Sequence, residues 1–145
     1  MKTYQQKRIE YIKSAKLSKA RERRYISQLK RNGWSNMDLW GLNTHLARTM
    51  LPMFKAFLAH PCGHPCSLKS VKEWQAIGAE IIWALERHAA DDFFDLAEAK
   101  TGYKPACMRE NMALRKLWLA ENKRLYARAD AGMALFGKYF GNFWD

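Results

Sequence analysis

Between residues 35 and 58 the chain reads SNMDLWGLNTHLARTMLPMFKAFL, in which Leu39, Leu42, Leu46, Met50, Met53 and Phe57 recur at intervals of three and four. That spacing puts six apolar side chains on one side of a helix and turns Asn43, Thr44, Arg48 and Lys55 elsewhere. Ser35 with Asp38 three positions on marks the start, because the hydroxyl and the carboxylate can each accept an unpaired N–H of the first turn. Pro52 removes an N–H and crowds the preceding turn, so a kink or break is expected just before it.

The same rhythm returns twice more. Over residues 67–89, Val71, Trp74, Ile77, Ile81 and Leu85 form a stripe behind a capping pair, Ser70 and Glu73. Ile82 and Trp83 widen the apolar surface beyond one face, which places this helix between two others, and Gly78 lets one of them approach closely. Residues 107–143 hold the longest pattern: Leu114, Trp118, Leu125, Ala129, Gly132, Phe136, Phe140 and Phe143, interrupted near Glu121 and Asn122. Glycine costs a helix about 1 kcal/mol against alanine, so Gly132 and Gly137 suggest close packing. Tyr139 and Trp144 fall off the stripe, and the terminal aromatics are either core for the N-terminal helices or an exposed protein-binding patch. Between these two helices, residues 91–105 read as a short helix and loop, capped by Asp92 and Asp95 and tied down by Phe93, Phe94 and Leu96.

The first 31 residues differ. Their apolar positions, Ile9, Ile12, Leu17, Tyr25, Ile26 and Leu29, make a thin stripe that strengthens only in its second half. A helix is expected over 18–30, stopped by Gly33 and docked by Tyr25, Ile26 and Leu29, with residues 1–17 helical only when bound or packed. The patterns together predict an all-α protein: a small bundle of three main antiparallel helices (35–58, 68–89 and 107–143) plus a basic N-terminal helix. The division that follows is a basic helical arm, 1–31, and a helical bundle domain, 32–145.

Charge sharpens that division. Of a net +11, residues 1–31 carry eleven Lys or Arg against Glu10 and Glu22, or +9, and the remainder carries only +2. Clustered cations displace the counterions of a nucleic acid, so Lys13, Lys16, Lys19, Arg21, Arg23, Arg24, Lys30 and Arg31 are the candidate binding residues, with Tyr4, Tyr11 and Tyr25 able to stack on bases. An acidic protein surface is the other partner such an arm fits, and a solvated basic helix with no specific role is the plain alternative. Lys116, Lys123, Arg124 and Arg128 suggest a second, weaker basic surface.

Two stretches invite metal chemistry. HPCGHPC brings His60, Cys62, His64 and Cys66 within a short turn, and Cys-x3-Cys falls in the range of zinc ligand pairs. Four ligands from so tight a loop would be strained, so zinc held by Cys62, Cys66 and one histidine, with Cys107 arriving from elsewhere, is the easier arrangement; a loop with solvent-facing histidines is the simpler reading. Asp91, Asp92, Asp95 and Glu98, with Glu86 and His88, resemble a carboxylate site for Mg²⁺-dependent hydrolysis, although acids at a helix start are also favoured by its dipole. No Gly-rich phosphate loop, Gly-x-Ser-x-Gly elbow or His-Glu-x-x-His occurs, and the expectation is a non-enzyme. With 48% hydrophobic and 13% aromatic residues the composition is globular, and no run of about 18 apolar residues suggests a membrane span. Three cysteines, an odd number, without an export signal fit a reducing cytosol.

SNMDLWGLNTHLARTMLPMFKAF, the Pro-containing turn, SLKSVKEWQAIGAEIIWALE and the terminal LFGKYFGNFWD together resemble a loose group of small uncharacterised helical proteins encoded in tailed-phage genomes. The resemblance spans residues 33–145 and implies a context, a phage product acting in the cytoplasm of its bacterial host, rather than a housekeeping enzyme. The functional expectation is an accessory protein that binds DNA or RNA through its basic arm. The alternative is an inhibitor or modulator that occupies a host or phage protein in host takeover, with metal-dependent hydrolysis a distant third.

Overall fold

The computed structural model describes residues 4–60, 63–105 and 111–143, and every regular element among them is helical. In chain order these are α1 (Tyr4–Ser14), α2 (Lys19–Asn32), α3 (Asn36–Leu39), α4 (Leu42–Ala59), α5 (Val71–Ala90), α6 (Phe93–Thr101) and α7 (Met112–Lys138), with a 3-10 turn at Phe140–Asn142. The protein is all-α, as its patterning predicts. Helix ends follow local chemistry. Ser18 Oγ accepts the Arg21 N–H at the start of α2, and Gly33, at φ 80°, closes that helix by donating its N–H to the Leu29 carbonyl. Ser70 Oγ accepts the Glu73 N–H, while the Glu73 carboxylate takes the N–H of Lys69, one position before its usual reciprocal partner. The chain divides into two compact units, Met1–Leu42 and Asn43–Asp145.

In the first unit the basic stretch forms two helices rather than one. Ile12 of α1 and Leu29 of α2 are fully buried, and Gln5 Nε2 donates to the Leu29 carbonyl at 3.3 Å. Arg8 is also buried and donates to Asp38 Oδ1, whose Oδ2 accepts the Ser35 N–H at 2.7 Å and the Ser35 hydroxyl at 2.9 Å. The partners of α1 therefore lie some 24 to 30 residues away, and packing on them accounts for helix over residues 4–14. Of the three expected docking residues only Leu29 is fully covered, Tyr25 and Ile26 remaining half-buried.

The second unit has a continuous apolar core. Phe54 of α4 meets Phe143 and Phe136 at ring distances of 4.9 and 5.9 Å, and Trp74 of α5 meets Tyr139 and Phe143 at 5.4 and 5.8 Å. Most of the terminal aromatics are thus core for α4 and α5; Phe140 is left exposed, and Trp144 lies outside the described residues. Helix α5 lies close against α7 at Gly132, where an added Cβ would stand 2.6 Å from Ala84 Cβ and 2.7 Å from the Glu80 carbonyl oxygen. A Cβ on Gly78 would meet a methyl of Leu58, so α4 is the close neighbour on that side. Helix α6 seats Phe93 and Ala97 against Ala84, Leu125 and Ala129, with Phe93 stacked on Tyr126 at 4.2 Å.

Three expectations need correction. The stripe assigned to α4 faces mostly outward: Leu42, Leu46 and Met53 are about half exposed or more, while Ala47 and Phe54 are buried and Leu51 and Leu58 half-buried. Rows 42-46-50-53 and 47-51-54-58 share one period, and fit against Ile81 and Leu85 selects the second. No break falls before Pro52: α4 runs through it, with Pro52 exposed where solvent can take the carbonyl it leaves unpaired, and the helical run is interrupted instead at Trp40 and Gly41. Asp92 caps nothing with its side chain; its Oδ2 instead pairs with Arg87 at 2.5 Å.

Candidate nucleic-acid interface

Helix α2 needs only a narrow inward face. Leu29 is its buried anchor, Glu22, Tyr25, Ile26 and Gln28 are partly covered, and the rest of its circumference is free to carry charge. Arg23, Ile26, Ser27, Lys30 and Arg31, spaced as i, i+3, i+4, i+7 and i+8, line an open depression of about 560 Å³. Three cations there surround an apolar floor, Ile26, and a hydroxyl, Ser27. Lys13 lies in the last turn of α1, Lys16 in the link that follows, and Lys19, Arg21 and Arg24 occupy the first half of α2. All eight candidate cations are exposed and all belong to one compact unit. Some have light contacts: Lys19 Nζ is 3.4 Å from Glu22, Arg31 Nε donates to Asn32, and the Arg24 guanidinium lies 5.4 Å from the Tyr25 ring centre.

Local acids do little to cancel this charge. Met1–Leu42 holds eleven Lys or Arg against Glu10, Glu22 and Asp38, a balance of +8. Asp38 is occupied by the buried Arg8, so the counterion sits inside while the cations stay outside.

The second basic surface fares differently. Arg124 makes two hydrogen bonds to Glu121, at 3.0 and 2.6 Å, and Lys100 reaches the same carboxylate at 2.8 Å. Arg128 forms a two-pronged pair with Glu80 at 3.0 and 2.9 Å and lies 4.0 Å from the Trp83 ring centre. Hydrogen bonds from Arg124 and then Lys100 outweigh partial burial and hold the Glu121 carboxyl down from 4.5 to about 2. Arg128 lowers Glu80 in the same way, and each arginine is raised in return by its carboxylate. Arg124 and Arg128 are thus neutralised in place, which leaves Lys116 and Lys123 as the exposed remainder of that row.

The metal candidates lie only partly among the described residues. His60, His64 and Cys66 are exposed around the link between α4 and α5, with His64 Nδ1 3.1 Å from the Pro65 carbonyl; Cys62 and Cys107 lie outside the described residues. Among the described residues no three His, Cys, Asp or Glu side chains gather around a point that a metal could occupy. Three of the acids of 86–98 are engaged otherwise: Glu86 pairs with Lys55 at 2.6 Å, Asp92 with Arg87, and Asp91 ends α5 at φ 56°. His88 rests edge-on against Phe93.

Of the exposed aromatics in the first unit, Tyr11 is among the expected stacking residues, whereas Trp34 and Trp40 are not. Tyr11 is 51%, Trp34 42% and Trp40 94% exposed, while Tyr25 is half-buried and the Tyr4 side chain lies outside the described set. The available signal is that Trp40 falls off the row of threes and fours beside Gly41, and that Trp34 follows the helix-ending Gly33. Among the described residues no helix is long and apolar enough to cross a membrane. No family model, curated protein or solved structure matches this chain.

Proposed function

We propose that this chain is a non-enzymatic accessory protein that binds nucleic acid through the unit Met1–Leu42, as a phage product acting in a bacterial cytoplasm. On this reading α4, α5 and α7 form an antiparallel three-helix scaffold, and α2 lies along the phosphate backbone. The observation that carries the reading is the exposure of all eight candidate cations on one unit whose buried acid, Asp38, is already matched by Arg8. Phosphates approaching α2 meet Arg23, Lys30 and Arg31, and among the described residues no carboxylate lines the same depression. The test is fluorescence anisotropy of labelled DNA and RNA across a salt series. If about six phosphates are neutralised, affinity falls roughly a thousandfold or more between about 50 and 200 mM salt. The full-length triple variant Arg23→Glu, Lys30→Glu, Arg31→Glu loses binding at about 100 mM salt while its helical circular dichroism is unchanged. A wild-type chain that binds neither DNA nor RNA ends the reading.

A second reading, an inhibitor that occupies a host or phage protein, is supported by the outward row of α4, where Leu42, Leu46 and Met53 are 46%, 47% and 60% exposed. Binding of that kind rests on apolar burial and resists salt, so the same salt series separates the two.

A further inference from the structure

Resting on the nucleic-acid reading of the unit Met1–Leu42, we infer that the ligand of this unit is a single strand, held by phosphate contacts to α2 and by base stacking on exposed rings, above all Trp40.

Trp40 is 94% exposed, so its indole is covered by almost nothing in the protein. Burial of a tryptophan is among the largest apolar gains available to a small unit, and this unit forgoes it although its own core is thin. Trp34 is 42% and Tyr11 51% exposed in the same unit. Trp34 stands three residues beyond Arg31, on the far side of the Gly33 turn that ends α2, so one ring follows directly from the cationic depression in the chain. Tyr11 has the Arg8 guanidinium 5.1 Å from its ring centre.

The kind of strand follows from what each ligand shows its partner. A duplex stacks its bases on each other and offers only phosphates and base edges, so exposed rings have no face to meet. A single strand offers phosphates and open base faces together, and the protein counterpart is a cationic track with aromatic platforms. Both halves occur in this unit: cations along α2, and rings at Tyr11, Trp34 and Trp40. The depression over Ile26 adds an apolar floor between Arg23 and Lys30, which suits a base or sugar lying between two bound phosphates.

An anionic lipid surface would also attract cations and indoles, and the experiment separates it. Full-length protein is titrated into labelled oligo(dT) of about twelve nucleotides, into a duplex of equal length, and into phosphatidylglycerol-containing vesicles, each at about 100 mM salt. The expected result is at least tenfold tighter binding of oligo(dT) than of duplex, with quenching of tryptophan emission. Trp40→Ala, at a site too exposed to disturb folding, weakens oligo(dT) binding about tenfold and leaves duplex binding unchanged. Trp40→Phe keeps a ring and restores most of the lost affinity. Equal affinity for single strand and duplex, or a Trp40→Ala variant that binds oligo(dT) as wild type does, overturns the single-strand assignment while leaving the nucleic-acid reading intact. Vesicles bound with Trp40-dependent blue-shifted emission, and no oligonucleotide of either form bound, overturn both.

Discussion

Protonating Glu121 undoes two ion pairs at once, since Arg124 and Lys100 share its carboxylate. Its folded value of about 2 lies below the ordinary 4.5, so its contribution to stability is present above pH 4.5 and is lost as pH falls towards 2; Glu80, lowered by Arg128, acts with the same sign. Thermal melts are expected to lose midpoint temperature through that window, and Glu121→Gln to flatten the slope while lowering the midpoint at neutral pH. In the other unit, Asp38→Ala would leave the Arg8 guanidinium buried and unpaired, a loss of about 3–5 kcal/mol. Limited proteolysis of full-length protein checks this by faster cleavage within residues 4–42. These sites also show what can be read from sequence one residue at a time. Ser18, Ser70 and Gly33 are legible because a cap acts over three or four positions. The Arg8–Asp38 pair is not, because 30 residues separate its partners and nothing local distinguishes Arg8 from its exposed neighbours.

At the scale of helices, two glycines with similar surroundings in sequence should respond differently to alanine. On Gly132 the new methyl meets the Glu80 carbonyl oxygen and the Ala84 Cβ, groups fixed to a helix backbone, and α5 and α7 must part at a cost of about 1–3 kcal/mol. On Gly78 it meets both methyls and the Cγ of Leu58, a side chain that can shift where a backbone cannot, and the gain of about 1 kcal/mol in helix propensity offsets much of the strain. Chemical denaturation should find Gly132→Ala clearly destabilised and Gly78→Ala close to wild type. Helix existence is legible throughout because apolar period and caps agree; which row of α4 turns inward is not. Leu42, Leu46 and Met53 look like the better core residues, but Ala47 and Phe54 complement the surface made by Ile81, Leu85 and Phe136, and that shape exists only after α5 and α7 are in place. Likewise Pro52 is the strongest breaker in the stretch, yet the helix stops at Trp40 and Gly41, ahead of it.

For the molecule as a whole, charge was the most readable property, since +8 of the net +11 belongs to Met1–Leu42 and needs no fold to be counted. Which cations remain available was not readable: Arg124 and Arg128 look as free as Arg23 and Arg24 until Glu121 and Glu80 are brought beside them by folding. The thin core of the first unit carries one more consequence. Its buried apolar side chains, among the described residues, are Ile12 and Leu29, against thirteen in Asn43–Asp145. So small a core sets a low free energy for local opening, and backbone amides of α1 and α2 should exchange with deuterium well before those of α5 and α7. A ligand that binds only the closed form stabilises it by mass action, by about 2.7 kcal/mol at a hundredfold excess over Kd, which slows exchange about a hundredfold. If the proposed nucleic-acid reading holds, exchange measured with and without oligonucleotide should show added protection confined to residues 4–42, the segment with the smaller core being the one whose opening the ligand holds back.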